Sequence, residues 1–228
     1  MKRLFPAMML LLLCTGACQT KLTAIPTGTW KYRLLVNGAE IGKAVVTNDV
    51  VATNFVNTLT MEMDVGYIKN STRQIITETQ DCKPLKLEVY NKTTQNNKVS
   101  EIKTIAKFNG SRVDLDTGDS KTQIVIDEPF VLEGNYFMQE LIKARFKPGT
   151  IIKSFVYEPS VDIETPIVMV VKVIGREDIS INGTMKNLLH LGCSVENLKN
   201  IDTYIDDNGV AQKTVIILLN NKLEMILE

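Results

Sequence analysis

The chain has 228 residues, 26 basic and 26 acidic side chains, one histidine and four cysteines. That length fits one substantial domain with a real core, or two small ones. The even charge excludes the basic stripe that nucleic-acid binding needs and a polybasic patch for anionic lipid, and a single histidine excludes a histidine-built metal cluster.

The first residues, Met1 to Cys18, run from a basic start through an apolar stretch, Leu4 to Leu13, into small residues and a cysteine. This is the grammar of a secretory signal peptide. An apolar run of about ten residues is half of the ~20 needed to cross a hydrocarbon core, so the segment is expected to be removed rather than kept as a span. Residues 1–17 then form the leader, 18–28 a spacer carrying Pro26 and Gly28, and 29–228 a single β-rich domain. Loss of the leader removes two basic residues, Lys2 and Arg3, and no acidic one, so the remaining chain stays close to neutral.

Trp30, Tyr32, Leu34 and Val36 alternate with Lys31 and Arg33, which predicts a half-buried strand. Asn37-Gly38 predicts a tight turn into a second strand over Ile41 to Thr47. Strands follow at Asn54 to Met63, Ile68 to Thr79, Leu85 to Asn91, Glu101 to Phe108, Ser111 to Asp116 and Lys121 to Ile126, with polar turns between them. Asn135 to Phe146 breaks the pattern: Phe137, Leu141 and Ala144, with Met138 and Ile142, fall at helical spacing before Pro148-Gly149. Strands resume at Ile151 to Glu158, Ile167 to Ile174, Lys186 to Val195, Ile201 to Ile205 and Lys213 to Ile226, with Asp207-Asn208-Gly209 as a hairpin turn. Val168 to Val171 and Val215 to Leu219 are apolar at consecutive positions, which predicts strands covered on both faces. The expected fold class is mainly β: an antiparallel curved sheet, half-barrel or sandwich-like, with one main helix at 135–146 and room for a groove.

Little in the chain points to catalysis. His190 lies among leucines, and Cys193, three residues on, falls on the opposite face of a strand, which argues against a thiolate-imidazole pair. Asp114, Asp116 and Asp119 fail the calcium-loop template, whose twelfth position is here Val125. Asp202, Asp206 and Asp207 read as turn residues, and Glu177-Asp178 as a surface turn after Gly175-Arg176. There is no phosphate-cradling glycine loop, serine elbow or zinc signature. The expectation is a non-enzymatic protein with no catalytic residue, cofactor or metal. Cys82 and Cys193 can form one bridge in an exported protein or stand as two buried thiols. Met61, Met63, Met138, Met169, Met185 and Met225, with Phe137, Phe146, Phe155 and Tyr157, fill a core or line a cavity for a lipid-like ligand.

Thr15-Gly16-Ala17-Cys18 resembles a bacterial lipobox, departing from it at Thr15, where that family usually has leucine. The resemblance implies acylation of Cys18. Cleavage at Ala17 as an ordinary signal peptide is the alternative. With no basic face, attachment must come from the acyl chains, and two or more chains hold stably at ~0.8 kcal/mol per buried methylene. Gln19 after the cysteine, in place of aspartate, implies sorting to the outer membrane on the enterobacterial pattern.

Two stretches, Tyr32 to Ala44 and Val173 to Leu189, together with Pro84-Leu85 and the hairpin Ile205 to Val210, resemble a family of Gram-negative periplasmic proteins of unknown function. That family looks like a relative of the curved-sheet carriers of the LolA and LolB type, which wrap an antiparallel half-barrel around acyl chains. The resemblance implies a fold and a lipid-sized groove, and brings no catalytic residues. The function expected is that of a lipid-anchored envelope protein binding a hydrophobic or lipid-like ligand, or engaging another envelope protein through its surface.

Overall fold

The alternation that begins at Trp30 becomes antiparallel β-structure almost throughout the computed structural model, which describes residues 22–196, 199–218 and 221–228. The strands are β1 (Gly28–Val36), β2 (Ala39–Val51), β3 (Asn54–Asp64), β4 (Ile68–Thr79), β5 (Pro84–Gln95), β6 (Lys98–Asn109), β7 (Arg112–Asp116), β8 (Lys121–Val125), β9 (Ile151–Val156), β10 (Ile167–Ile181), β11 (Thr184–Val195), β12 (Lys199–Ile205), β13 (Ala211–Leu218) and β14 (Asn221–Leu227), with helix α1 (Tyr136–Lys143) between β8 and β9. They form one sheet in the order β8-β7-β6-β5-β4-β3-β2-β1-β14-β13-β12-β11-β10-β9. Two meanders therefore meet at one seam, where β1 pairs antiparallel with β14 and Tyr32 faces Leu227.

The free edges of that sheet are β8 and β9, and the chain between them extends the β7–β8 pairing and then bridges β9. Ile126 N–H donates to the Ser111 carbonyl at 2.9 Å, while Val131 makes a parallel bridge to Val156, donating to the Phe155 carbonyl and accepting from Tyr157 N–H, each at 2.9 Å. Covering an edge in this way removes unpaired backbone groups that would otherwise recruit another strand.

Because side chains alternate along a strand, the register assigns each residue to a face. Tyr32, Leu34 and Ala44 fall on one face, and following the pairs across the sheet places Ile76, Leu87, Ala106, Val113 and Leu115 on that same face in one direction. In the other direction it places Leu189, Leu191, Val173, Val171 and Met169 there. All three apolar clusters thus share the inner face. The outer face carries Arg33, Lys43, Glu177, His190, Asp202 and Lys213. A second covering layer expected from the apolar runs is absent among the described residues: Val168 and Val170 are half-buried and Ile217 is 42% exposed. One sheet curled over its own apolar face satisfies the need for burial.

Several expected boundaries move. The helix spans Tyr136–Lys143 rather than 135–146, because Ala144 caps it and Arg145 and Phe146 take left-handed φ values of 52° and 50°. That turn directs Phe146 back into the core beside Phe137 and Leu141. Strand β10 continues through the turn expected at Glu177-Asp178, and the true hairpin is Asn182-Gly183, with φ of 50° and 79°. Gly175 instead sits at a register shift opposite His190. The single strand expected over Lys213 to Ile226 is the hairpin pair β13 and β14.

Asn37-Gly38 makes the two-residue turn its sequence demands, and β2 starts at once at Ala39, with a bulge that leaves Ile41 without a partner. Gly42 is then pressed against β3: an added Cβ would lie 1.9 Å from the Glu62 carbonyl oxygen. The bridge between Cys82 and Cys193 is not formed. Both are free thiols, Cys82 buried in the β4–β5 turn with φ 56°, and Cys193 half-buried on β11 against the helix cluster.

Candidate functional site

The inner face is filled unevenly. Helix α1 lays Phe137 and Leu141 on Val171, Val173, Leu189 and Leu191, and Tyr157 packs with Phe108 and Phe130 over Leu87 and Val113. Between these two filled regions, β1–β3 and β14 present Trp30, Leu59, Met61, Met63, Met225 and Leu227, all half-buried around Tyr32, Leu34 and Ala44. Unbranched methionines can adjust to an irregular apolar guest, which makes this band the candidate for ligand contact. Met138 and Met169 belong to the helix cluster. Met185 and Phe155 do not line the interior, being 63% and 38% exposed on other surfaces.

A polar knot fixes the helix over this face. The side-chain amide of Asn48 donates to Asn135 at 2.9 Å and to the Pro26 carbonyl at 2.7 Å, and Asn135 returns a bond to Asn48 at 3.1 Å. Asn135 also donates its backbone N–H to Glu78 Oε2 at 2.9 Å. Its side chain is committed across the interior and makes no cap for its own helix. Glu78 is fully buried and its Oε1 has no partner. Burial pushes the Glu78 carboxyl up to about 7, against the opposing hydrogen bonds from Asn135. Gly134 makes room for it, since a Cβ there would come within 2.5 Å of Oε2.

Beside the helix cluster lies a pocket of about 300 Å³. Val156, Ile167, Met169 and Val195 form its inner wall, with Val161 from the β9–β10 connection, while Glu133, Glu158, Ser160 and Lys199 supply its polar atoms. A wider depression of about 460 Å³ is lined by Lys43, Glu62, Asp64, Lys69 and Lys92. Pairs such as Lys69–Asp64 at 2.9 Å and Lys92–Glu101 at 2.8 Å already match many of its charges, and its apolar wall is formed by Ile41 and Met63.

On the outer face His190 is clamped. Nδ1 donates to Glu177 Oε1 at 2.8 Å and Nε2 to Asp202 Oδ1 at 2.7 Å, and the ring stacks on Tyr204 with centroids 4.6 Å apart. Carboxylates only accept, so both bonds together require the doubly protonated imidazolium. Burial opposes that charge, but the bonds to Asp202 and Glu177 outweigh it and hold the imidazole above its usual range. The carboxylates occupy opposite ends of the ring, so the three groups converge neither on one ion nor on one substrate atom. Among the described residues no group of three or more His, Cys, Asp or Glu is placed to hold a metal ion.

Cys193 faces inward and His190 outward, as their spacing predicts. Burial pushes both the Cys82 and the Cys193 thiol up to about 12, which keeps them protonated and unreactive. Asp206 is a turn residue, accepting from the N–H groups of Asn208 and Val210, whereas Asp202 lies within β12. Asp116 accepts from Gly118 N–H and Asp114 from the Gln123 amide in an exposed hairpin. Thr15-Gly16-Ala17-Cys18 lies outside the described residues. No helix among the described residues is long and apolar enough to cross a membrane. Glu78, Asn48 and Asn135 were not singled out by the sequence. A glutamate inside an alternating strand gives no sign of the face it occupies until the register is known.

No family model matches the chain, and no curated protein matches it significantly. Among solved structures it is similar to a beta-barrel-like protein of the domain of unknown function DUF1849 from Brucella abortus, with a TM-score of 0.67 and 11% identity over 90% of this chain and 97% of that one. At that identity the likeness shows the fold: a β-barrel-like, mainly antiparallel domain.

Proposed function

We propose that this protein is a non-enzymatic, lipid-anchored component of the cell envelope, held at the outer membrane through acyl chains on Cys18, and that its inner sheet face binds a hydrophobic, lipid-like ligand. The observation that carries this reading is the half-buried band of Trp30, Leu59, Met61, Met63, Met225 and Leu227 on the same face that the helix covers elsewhere. Apolar surface left partly open inside a curved sheet has a favourable use only if something apolar fills it, at roughly 25 cal/mol per Å² covered. The acyl-chain carriers suggested by the sequence use a curved sheet in the same manner.

Trp30 is the only tryptophan, which makes the test direct. A fatty acid brominated along its chain is expected to quench Trp30 fluorescence saturably, and protein purified from its own envelope is expected to release lipid into a mass spectrometer. Absence of both signals would refute the ligand. A second reading, docking of another envelope protein, is favoured by the β3–β4 turn, where Val65 is 45% and Tyr67 68% exposed. Crosslinking in cells from position 67 would capture that partner.

A further inference from the structure

The pocket beside the helix cluster has an apolar wall and an acidic mouth, and that combination specifies a ligand class. Val156, Ile167, Met169 and Val195 present side chains from β9, β10 and β11 on the inner face. The polar lining holds two carboxylates, Glu133 and Glu158, and one ammonium, Lys199. Lys199 Nζ stands 4.0 Å from Glu133 Oε2. Among the described residues Glu158 Oε1 accepts only from Ser160, whose N–H and hydroxyl approach at 3.1 and 2.6 Å. The described lining therefore holds two carboxyl groups against one ammonium next to an apolar surface, and burial raises the Glu133 carboxyl against the pull of Lys199.

We propose that this pocket binds a single-chain amphiphile with a primary ammonium head, its chain against Met169 and Val195 and its head between Glu158 and Glu133. A primary ammonium suits the mouth for two reasons. It offers three N–H donors to the carboxyl oxygens, and its positive charge offsets the burial that raises Glu133. An anionic head would meet two carboxylates at close range, and like charge near a partly desolvated site is costly. At roughly 30 Å³ per methylene, scaled from the volume of a water molecule, about 300 Å³ suits a chain of some ten carbons. The proposal rests on the reading that the inner face accepts apolar guests, but assigns a place distinct from the Trp30 band and a charge to the guest.

Methionine-methyl NMR on the whole chain separates the two, because Met169 marks the pocket while Met61, Met63 and Met225 mark the band. The probes are decylammonium, decanol and decanoate, each below its micellar concentration. Decylammonium is expected to shift the Met169 methyl and to bind at least tenfold more tightly than decanoate. Glu158→Gln with Glu133→Gln is expected to abolish that preference while decanol binding is unchanged. Equal or tighter binding of decanoate at Met169 overturns the head-group assignment. Shifts confined to Met61, Met63 and Met225 overturn the pocket but leave the proposed function standing, and no shift at any of the four methyls with any probe overturns both.

Discussion

The side chains of Asn48 and Asn135 exchange amide hydrogen bonds across the inside of the sheet, and through them the start of the helix is tied to β2. The same Asn48 holds the Pro26 carbonyl, and Asn135 N–H holds Glu78 on β4, so four distant stretches of chain meet at one buried point. Removing one amide strands the other in a dry interior. Asn135→Ala is expected to lower stability by about 1–3 kcal/mol, measured as a shift of the urea midpoint with little change in slope. Asn48→Ala should cost as much or more, since it also frees the Pro26 carbonyl, and the double variant should cost less than the sum of the two.

Glu78 gives the fold a pH dependence of defined sign. Its carboxyl is raised from the ordinary value of 4.5 to about 7 by burial, so the folded state keeps a proton that the unfolded state has released. That contribution is fully present below about pH 4.5 and is lost as the pH rises through about 7. Glu78→Gln is expected to remove this loss and to be the more stable protein above pH 7, by on the order of 3 kcal/mol. Denaturant titrations at pH 5 and pH 8 check it: the losses at Glu78 and His190 add in the wild type, only the His190 part should remain in the variant, and a wild-type protein equally stable at both would contradict it.

His190 predicts a second dependence over a higher range. Its folded value is raised by two carboxylate partners, so its contribution is present below the unfolded value of about 6.5 and disappears as the pH climbs through the folded value. His190→Gln should be less stable than the wild type at pH 6 and should approach it in alkaline solution. An imidazole NMR titration midpoint below 6.5 would refute the clamp.

Gly42 has no room for a side chain. Gly42→Ala would place a methyl 1.9 Å from the Glu62 carbonyl oxygen, within backbone rather than a movable side chain. The expected cost is about 3 kcal/mol or more, read from thermal or chemical unfolding, with β2 and β3 forced apart. Gly38→Ala, where no atom lies within 4 Å of the added Cβ, meets only the strain of its φ of 86° and should cost less.

Cys18→Ser is expected to abolish incorporation of labelled palmitate and to release the protein from the membrane fraction. Persistence of label and attachment would place the anchor elsewhere.

How much of this was legible in the sequence depends on the distance over which the information acts. Asn37-Gly38 makes its turn because both residues accept left-handed φ, a property carried by the dipeptide itself. Asn182-Gly183 carries the same local signal. Gly175 and the charges after it read as an earlier break, whereas Gly175 serves a register shift in the middle of β10. Helix α1 showed through the spacing of Phe137 and Leu141, but its end, set by Ala144 and the left-handed Arg145 and Phe146, did not. The site was less visible than the fold. Asn48 and Asn135 are 87 residues apart, and Glu177 and Asp202 reach His190 from two neighbouring strands. Only pairing brings such residues together, and pairing is set by the whole sheet.

Leu22, within the stretch expected to be a spacer, packs against the helix cluster, and a Cβ on Gly209 would lie 2.5 Å from its side chain. Only four peptide steps separate Leu22 from Cys18, a reach of about 14 Å at full extension. If Cys18 is acylated as proposed, the domain would be moored rather than tethered: the pole formed by the Asp206–Gly209 turn would ride at the lipid surface, and the opposite pole could not swing toward it.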